Sequence, residues 1–153
     1  MTNVEREITV RVQRRFDAPR ERVFDAWTNE EVLRDWWAAM PTMSPGEIEV
    51  DLRPGGRYRM QMVTDTGEVH TVVGEYTEVD RPARLAYTWT WDSNEEAMSG
   101  SAGTLVEVEF AEDGRGTLVT LTHSGFAGAE IAGLHEHGWQ GTFDSLDRYL
   151  TAR

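Results

Sequence analysis

The side chains best suited to proton chemistry near neutral pH are four histidines, His70, His123, His135 and His137. His123 closes an alternating run, Val119, Leu121, His123. His135 lies in a stretch whose apolar residues recur at threes and fours: Ile131, Leu134, Gly138, Trp139, Thr142, Leu146 and Leu150. The first pattern predicts a strand and the second one face of a helix. A histidine at the end of the strand and another early on the helix would share one end of the groove between them. There they could serve as general acid and base, or as hydrogen-bond partners of a guest. The plainer alternative is a pair of histidines bonded to backbone where strand meets helix. His70 falls mid-strand and is predicted on the outer face. His137 stands about 200° around the helix from His135 and is predicted to face solvent.

Other chemistries fit poorly. His135-Glu136-His137 lacks the i, i+4 spacing that sets two metal ligands on one helical face. There is no cysteine, so thiolate sites and disulfides are excluded. No metal and no cofactor are expected. Ser124 follows His123 directly, and neighbours on an extended chain point apart. No nucleophile elbow of the G-x-S-x-G type occurs. Gly55-Gly56 reads as turn chemistry, and Glu95-Glu96 as a solvated loop. Catalytic residues are therefore unassigned, and whether the protein is an enzyme stays open.

The elements that must position these groups can be read in order. Residues 4–16 alternate, with Val4, Ile8, Val10 and Val12 set among charged neighbours. Asp17-Ala18-Pro19 opens a short helix to about Trp27, with Pro19 in its first turn. Thr28 or Asn29 caps a second helix that reaches Trp36-Trp37. Met40 to Pro45 reads as loop and Ile48 to Leu52 as a brief strand. Strands follow around Tyr58, Met60 and Met62, from Glu68 to Val79, and through Leu85, Tyr87, Trp89 and Trp91. Residues 93–103 read as a mobile loop. Two more strands, Leu105 to Phe110 and Thr117 to His123, precede the long helix from about Ala129 to Leu150. Tight turns between consecutive strands imply an antiparallel sheet, and one long amphipathic helix must bury its stripe against it. The expected class is α+β, in a single domain spanning residues 1–153.

Composition bounds the partners. The formal net charge is −12, so a nucleic-acid backbone or an anionic membrane is not expected as a partner. All fifteen basic residues are arginine. Residues 1–20 carry no apolar run of the secretory type, and no later stretch is long enough to insert in a membrane. A cytoplasmic location is expected.

Five strings in this order resemble the START-like (SRPBCC) superfamily, in the branch related to the activator of the heat-shock-protein-90 ATPase. They are FDAPRERVFDAWTNEEVLRDWW (16–37), DLRPGGRY (51–58), GEYTEVDRPARLAYTWTW (74–91), GTLVTLTHSGF (116–126) and HEHGWQGTFDSLDRYL (135–150). The resemblance implies a helix-grip fold, a curved antiparallel sheet wrapped around a C-terminal helix. It also implies a hydrophobic or amphipathic small molecule held between helix and sheet. Strand and helix parity nominate its contacts as Trp36, Trp37, Met60, Met62, Tyr87, Trp89, Trp91, Val108, Leu121, His123, His135 and Trp139. Packing alone would explain any one of them. As a set they suit an apolar guest, in a cavity expected to reach at least about 300 Å³. Two alternatives follow from the same resemblance. One is a cyclase- or hydrolase-type enzyme using His123 or His135. The other is a co-chaperone-like interaction domain. Exposed edge strands make a homodimer conceivable.

Overall fold

The chain threads one strand, two short helices, six strands and a long helix. The elements are β1 (Ile8–Phe16), α1 (Arg20–Thr28), α2 (Glu30–Trp36), β2 (Met43–Val50), β3 (Arg57–Thr64), β4 (Val69–Asp80), β5 (Arg84–Trp91), β6 (Thr104–Asp113), β7 (Gly116–Phe126) and α3 (Ala129–Thr151). This computed structural model describes residues 8–92 and 100–152. Val4 and the predicted loop at 93–99 lie outside the described residues.

The seven strands form one sheet in the order β1-β7-β6-β5-β4-β3-β2, and every pairing is antiparallel. β1 does not lie beside β2, the next strand in the chain. It pairs with β7 through Val10↔His123 and Val12↔Leu121, which places the first strand beside the last. The helix-grip arrangement implied by the resemblance is thus present.

Alternation along the strands separates the two faces. Tyr58, Met60, Tyr87, Trp89, Val106, Val108, Leu121 and His123 are all buried, with α3 laid across them. The outer face carries charge. Arg84 donates to Glu78, Glu107 and Glu109 there. Arg59 pairs with Glu47. Arg14, near the sheet edge, reaches Asp144 on α3 at 2.6 Å.

Local signals explain most boundaries. Asn29 caps α2 by accepting from the backbone N–H groups of Glu31 and Val32, with Glu30 and Glu31 in the first turn as the helix dipole favours. Pro19 is itself the N-cap of α1, so the helix starts one position later than expected. β2 starts at Met43, five residues before the strand expected from Ile48, and it runs through Pro45 and Gly46 with an irregular register up to Ile48. It is an edge strand, where a missing proline N–H breaks no ladder bond on the open side.

Two neighbouring glycines on α3 play different parts. A Cβ at Gly141 would sit 1.8 Å from the Ala39 carbonyl oxygen. The helix can approach the segment after α2 only because residue 141 has no side chain. At Gly138, where a mid-helix glycine suggests either close approach of helix to sheet or space left for a guest, the nearest atom to such a Cβ is the Ala39 Cβ at 3.8 Å. Gly138 borders empty space instead.

Candidate functional site

Between α3 and the inner face of the sheet, aromatic rings fill most of the groove. Trp89 packs on Trp139 with ring centres 4.9 Å apart. Trp37 meets both, at 6.3 and 6.2 Å. Trp27 stacks on Trp139 at 6.5 Å and donates its indole N–H to the Tyr87 hydroxyl. What remains hollow is one end. A cavity of about 170 Å³ is walled there by Met62 and His70 from β3 and β4, and by Trp89 and Trp91 from β5. Ala39, Met40 and Met43 close it from the segment between α2 and β2, with Met43 opening β2. Leu134, His135, His137, Gly138, Trp139 and Thr142 close it from α3. Among the described residues, no Asp, Glu or Arg is in this wall.

The volume is below the expected 300 Å³, because Trp37, Trp89 and Trp139 occupy space that smaller side chains would have left open. A larger hollow, about 510 Å³, lies on the opposite, outer face of the sheet. It is lined by Arg57, Arg59, Glu49, Glu75 and Asp92 among others, and its charged groups stand in or near solvent. It has the character of a surface furrow rather than an apolar binding site.

His123 and His135 do meet, with ring centres 5.3 Å apart. Every nitrogen of both rings is used. The His123 Nδ1 accepts from the Trp139 indole N–H at 3.0 Å. Its Nε2 therefore carries the proton and donates to Thr104 Oγ1 at 2.7 Å. That hydroxyl in turn donates to the Ser101 carbonyl. In His135, Nδ1 faces the Ile131 carbonyl at 3.0 Å, which can only accept, so Nδ1 bears the proton. Its Nε2 accepts from the Trp91 indole N–H at 3.0 Å. Both imidazoles are thus neutral, each in a single tautomer. Burial pushes His123 from the usual 6.5 down to about 2, helped by the neighbouring His135. Burial also lowers His135, partly opposed by its bond to the Ile131 carbonyl. The plainer reading of the pair holds in part. His135 is tied to backbone, but the decisive partners are two tryptophans.

The same bonds hold the cavity wall. Trp91 and Trp139 each have their indole N–H anchored to a buried histidine, so neither ring can rotate without stranding a donor and an acceptor. Trp89 and Trp37 differ. Their indole N–H groups are buried among the rings with no hydrogen-bond partner among the described residues. Among the described residues, no cluster of three or more His, Cys, Asp or Glu side chains could hold a metal ion.

The family described as Activator of Hsp90 ATPase homolog 1-like protein matches this chain over residues 17–151. The chain belongs to that family. A crystal structure of a Chromobacterium violaceum protein superposes with a TM-score of 0.78 at 25% identity, covering 92% of this chain and 96% of that one. The solution structure of an AHSA1-like protein from Aeromonas hydrophila gives 0.76 at 28% identity, with 95% and 93% covered. An AHSA1 protein from Silicibacter pomeroyi gives 0.81 at 21% identity, with 95% and 99% covered, a likeness of fold alone. No curated protein matches the sequence.

Within this family member the residues nominated from the sequence divide. Met62, Trp89, Trp91, His135 and Trp139 line the cavity. Trp36, Trp37, Met60, Tyr87, Val108, Leu121 and His123 are buried in the surrounding core and do not line it. Trp36 is committed elsewhere, its indole N–H donating to the Ala26 carbonyl. Sequence reasoning passed over Met43, His70 and His137 as site residues. His70 pairs directly across the ladder with Met62 and so faces inward, not outward as expected. Its ring lies edge-on to Trp91 at 6.5 Å. The register of the β3–β4 hairpin, with its turn at Asp65–Gly67, would have given this parity. His137 is exposed as expected, yet it stands at the cavity rim. Leu134, expected on the buried face, is 52% exposed beside it.

Proposed function

We propose that this protein binds a small hydrophobic molecule in the cavity between the end of the sheet and α3. The observation that supports it most is a hollow walled by Met40, Met43, Met62, Trp89, Trp91 and Trp139 at the place where α3 carries a glycine with no neighbour to make room for. A mid-helix glycine lowers helix stability by about 1 kcal/mol relative to alanine. Gly138 would serve by leaving space for a guest. Methionine and tryptophan walls suit an apolar molecule, the first adaptable and the second broad and flat.

An acid–base enzyme built on His123 or His135 draws little support from this geometry. Neither ring has a nitrogen free to exchange a proton with a substrate, and both are held neutral by burial. The co-chaperone-like alternative rests on the family description alone.

The test is native mass spectrometry of freshly purified protein, followed by extraction of the denatured sample into an apolar solvent. A retained small molecule is the expected result. The reading fails if the protein is empty and a panel of apolar compounds leaves its tryptophan fluorescence unchanged.

A further inference from the structure

Resting on that reading, we infer that the guest is a neutral molecule about the size of one six-membered ring, and that long-chain lipids and fused-ring compounds are excluded. Three independent features of the cavity lead there. The first is volume. The hollow measures about 170 Å³. Drug-sized ligands occupy pockets of about 300–1,000 Å³, whereas an engineered apolar cavity of about 150 Å³ in another protein takes benzene.

The second is the stiffness of its sheet-and-helix wall. Trp91 is anchored to His135 and Trp139 to His123, each by an indole N–H bond of 3.0 Å. Moving either ring aside to admit a larger guest would leave a buried histidine nitrogen without its donor. Trp89 is held differently, wedged between Trp139 at 4.9 Å and the edge of Trp91 at 5.4 Å. Adaptability is confined to the opposite wall of methionines. That wall can adjust to the outline of a small guest, but it cannot create room behind the indoles.

The third is charge. Among the described residues the wall contains no Arg, Asp or Glu, and its most buried histidine, His135, has both nitrogens engaged. A fatty-acid carboxylate or an ammonium head drawn past His137 at the rim would be desolvated against a wall of methionine and indole. A long chain could enter only by its first few carbons. The rest would trail into water past Met40 and Leu134, which are 42% and 52% exposed at the rim, and it would add no affinity.

The test is a titration of the full-length protein followed by the indole N–H signals of its six tryptophans in a ¹H–¹⁵N spectrum. The probes are toluene, naphthalene, decanoate and palmitate. Saturable shifts of the Trp89, Trp91 and Trp139 signals with toluene are expected, with at least tenfold weaker binding of the other three. Gly138→Ala adds one methyl group at the cavity wall and should weaken toluene at least fivefold. Gly133→Ala, an exposed site with no atom within 4 Å of the added Cβ, should leave it unchanged. Both variants should stay folded, since neither added Cβ meets an atom closer than 3.8 Å. If decanoate, palmitate or naphthalene binds as tightly as toluene at these indoles, the size and charge class is overturned while the binding site stands. If none of the four probes shifts these signals, both the class and the binding reading fall.

Discussion

The two ends of the groove are made from the same kinds of residue, yet one is solid and the other hollow. At the solid end, Phe16, Phe24, Trp27, Phe110 and Phe143 are at most 2% exposed. Their rings contact one another edge-on at 5.2 to 6.1 Å. At the other end Trp91 is only half-buried, Met40 stands 42% exposed, and Gly138 presents no side chain. Phenyl and indole rings interlock because their shapes and quadrupoles leave few alternative arrangements. Thioether chains and a glycine leave a gap that no other described residue fills. Apolar composition therefore does not decide between core and site. What decides is whether rigid groups from three directions converge on the same volume.

The contrast can be broken most forcefully at the solid end. Phe143→Ala removes a ring packed against both Phe16 and Trp27 at 5.7 Å, and it should cost about 3–5 kcal/mol in urea unfolding. Met40→Ala at the hollow end should change stability by less than about 0.5 kcal/mol. Comparable losses at the two sites would show that the ends are packed alike.

On α3, Gly141→Ala drives a Cβ into the Ala39 carbonyl at 1.8 Å. Shifting backbone to relieve that clash should cost about 1–3 kcal/mol, an overpacking effect, measurable as a lowered thermal midpoint. A variant as stable as the parent would refute the close approach.

A pH series separates the buried pair from the surface. His123 is neutral when folded but takes up a proton on unfolding below its usual 6.5. The unfolded state then binds more protons, so stability rises with pH through this window and is lost as pH falls from 6.5 toward 2. Between pH 6.5 and 5, His123 alone should account for about 2 kcal/mol of loss, with His135 adding in the same direction. The slope in His123→Gln should be shallower by that amount. Identical slopes would mean that His123 is not held neutral.

A smaller effect, and a stabilising one, is expected at Gly138. Replacing it with alanine should raise stability by about 0.5–1 kcal/mol through helix propensity alone, opposite in sign to Gly141→Ala three residues away. Circular-dichroism melts of the two variants decide whether the hollow lies against residue 138.

Much of this molecule is legible in its residues. The succession of strands along the chain, the capped second helix with Asn29, and the long helix follow from periodicity, turn residues and caps, because these signals act over a few neighbours. The burial of Tyr58, Met60, Trp89, Val108 and Leu121 on one face follows from strict alternation. Residues that belong to the family over positions 17–151 were likewise recognisable in the strings they form. His70 shows where such reading stops. A strand has two faces, and only the hairpin register with Met62 says which one a residue takes. The roles of His123 and His135 show it again. Their types allow proton transfer, but Trp139, Trp91 and Thr104, between 16 and 44 positions away in the chain, engage their nitrogens and hold them neutral. Composition and local order thus determined the architecture and the apolar character of its interior. Only the tertiary structure decided that three tryptophans fill most of the groove, that the histidines brace its wall, and that a cavity of about 170 Å³ remains. The physical reason is that packing and hydrogen-bond satisfaction depend on groups distant in sequence meeting at one point.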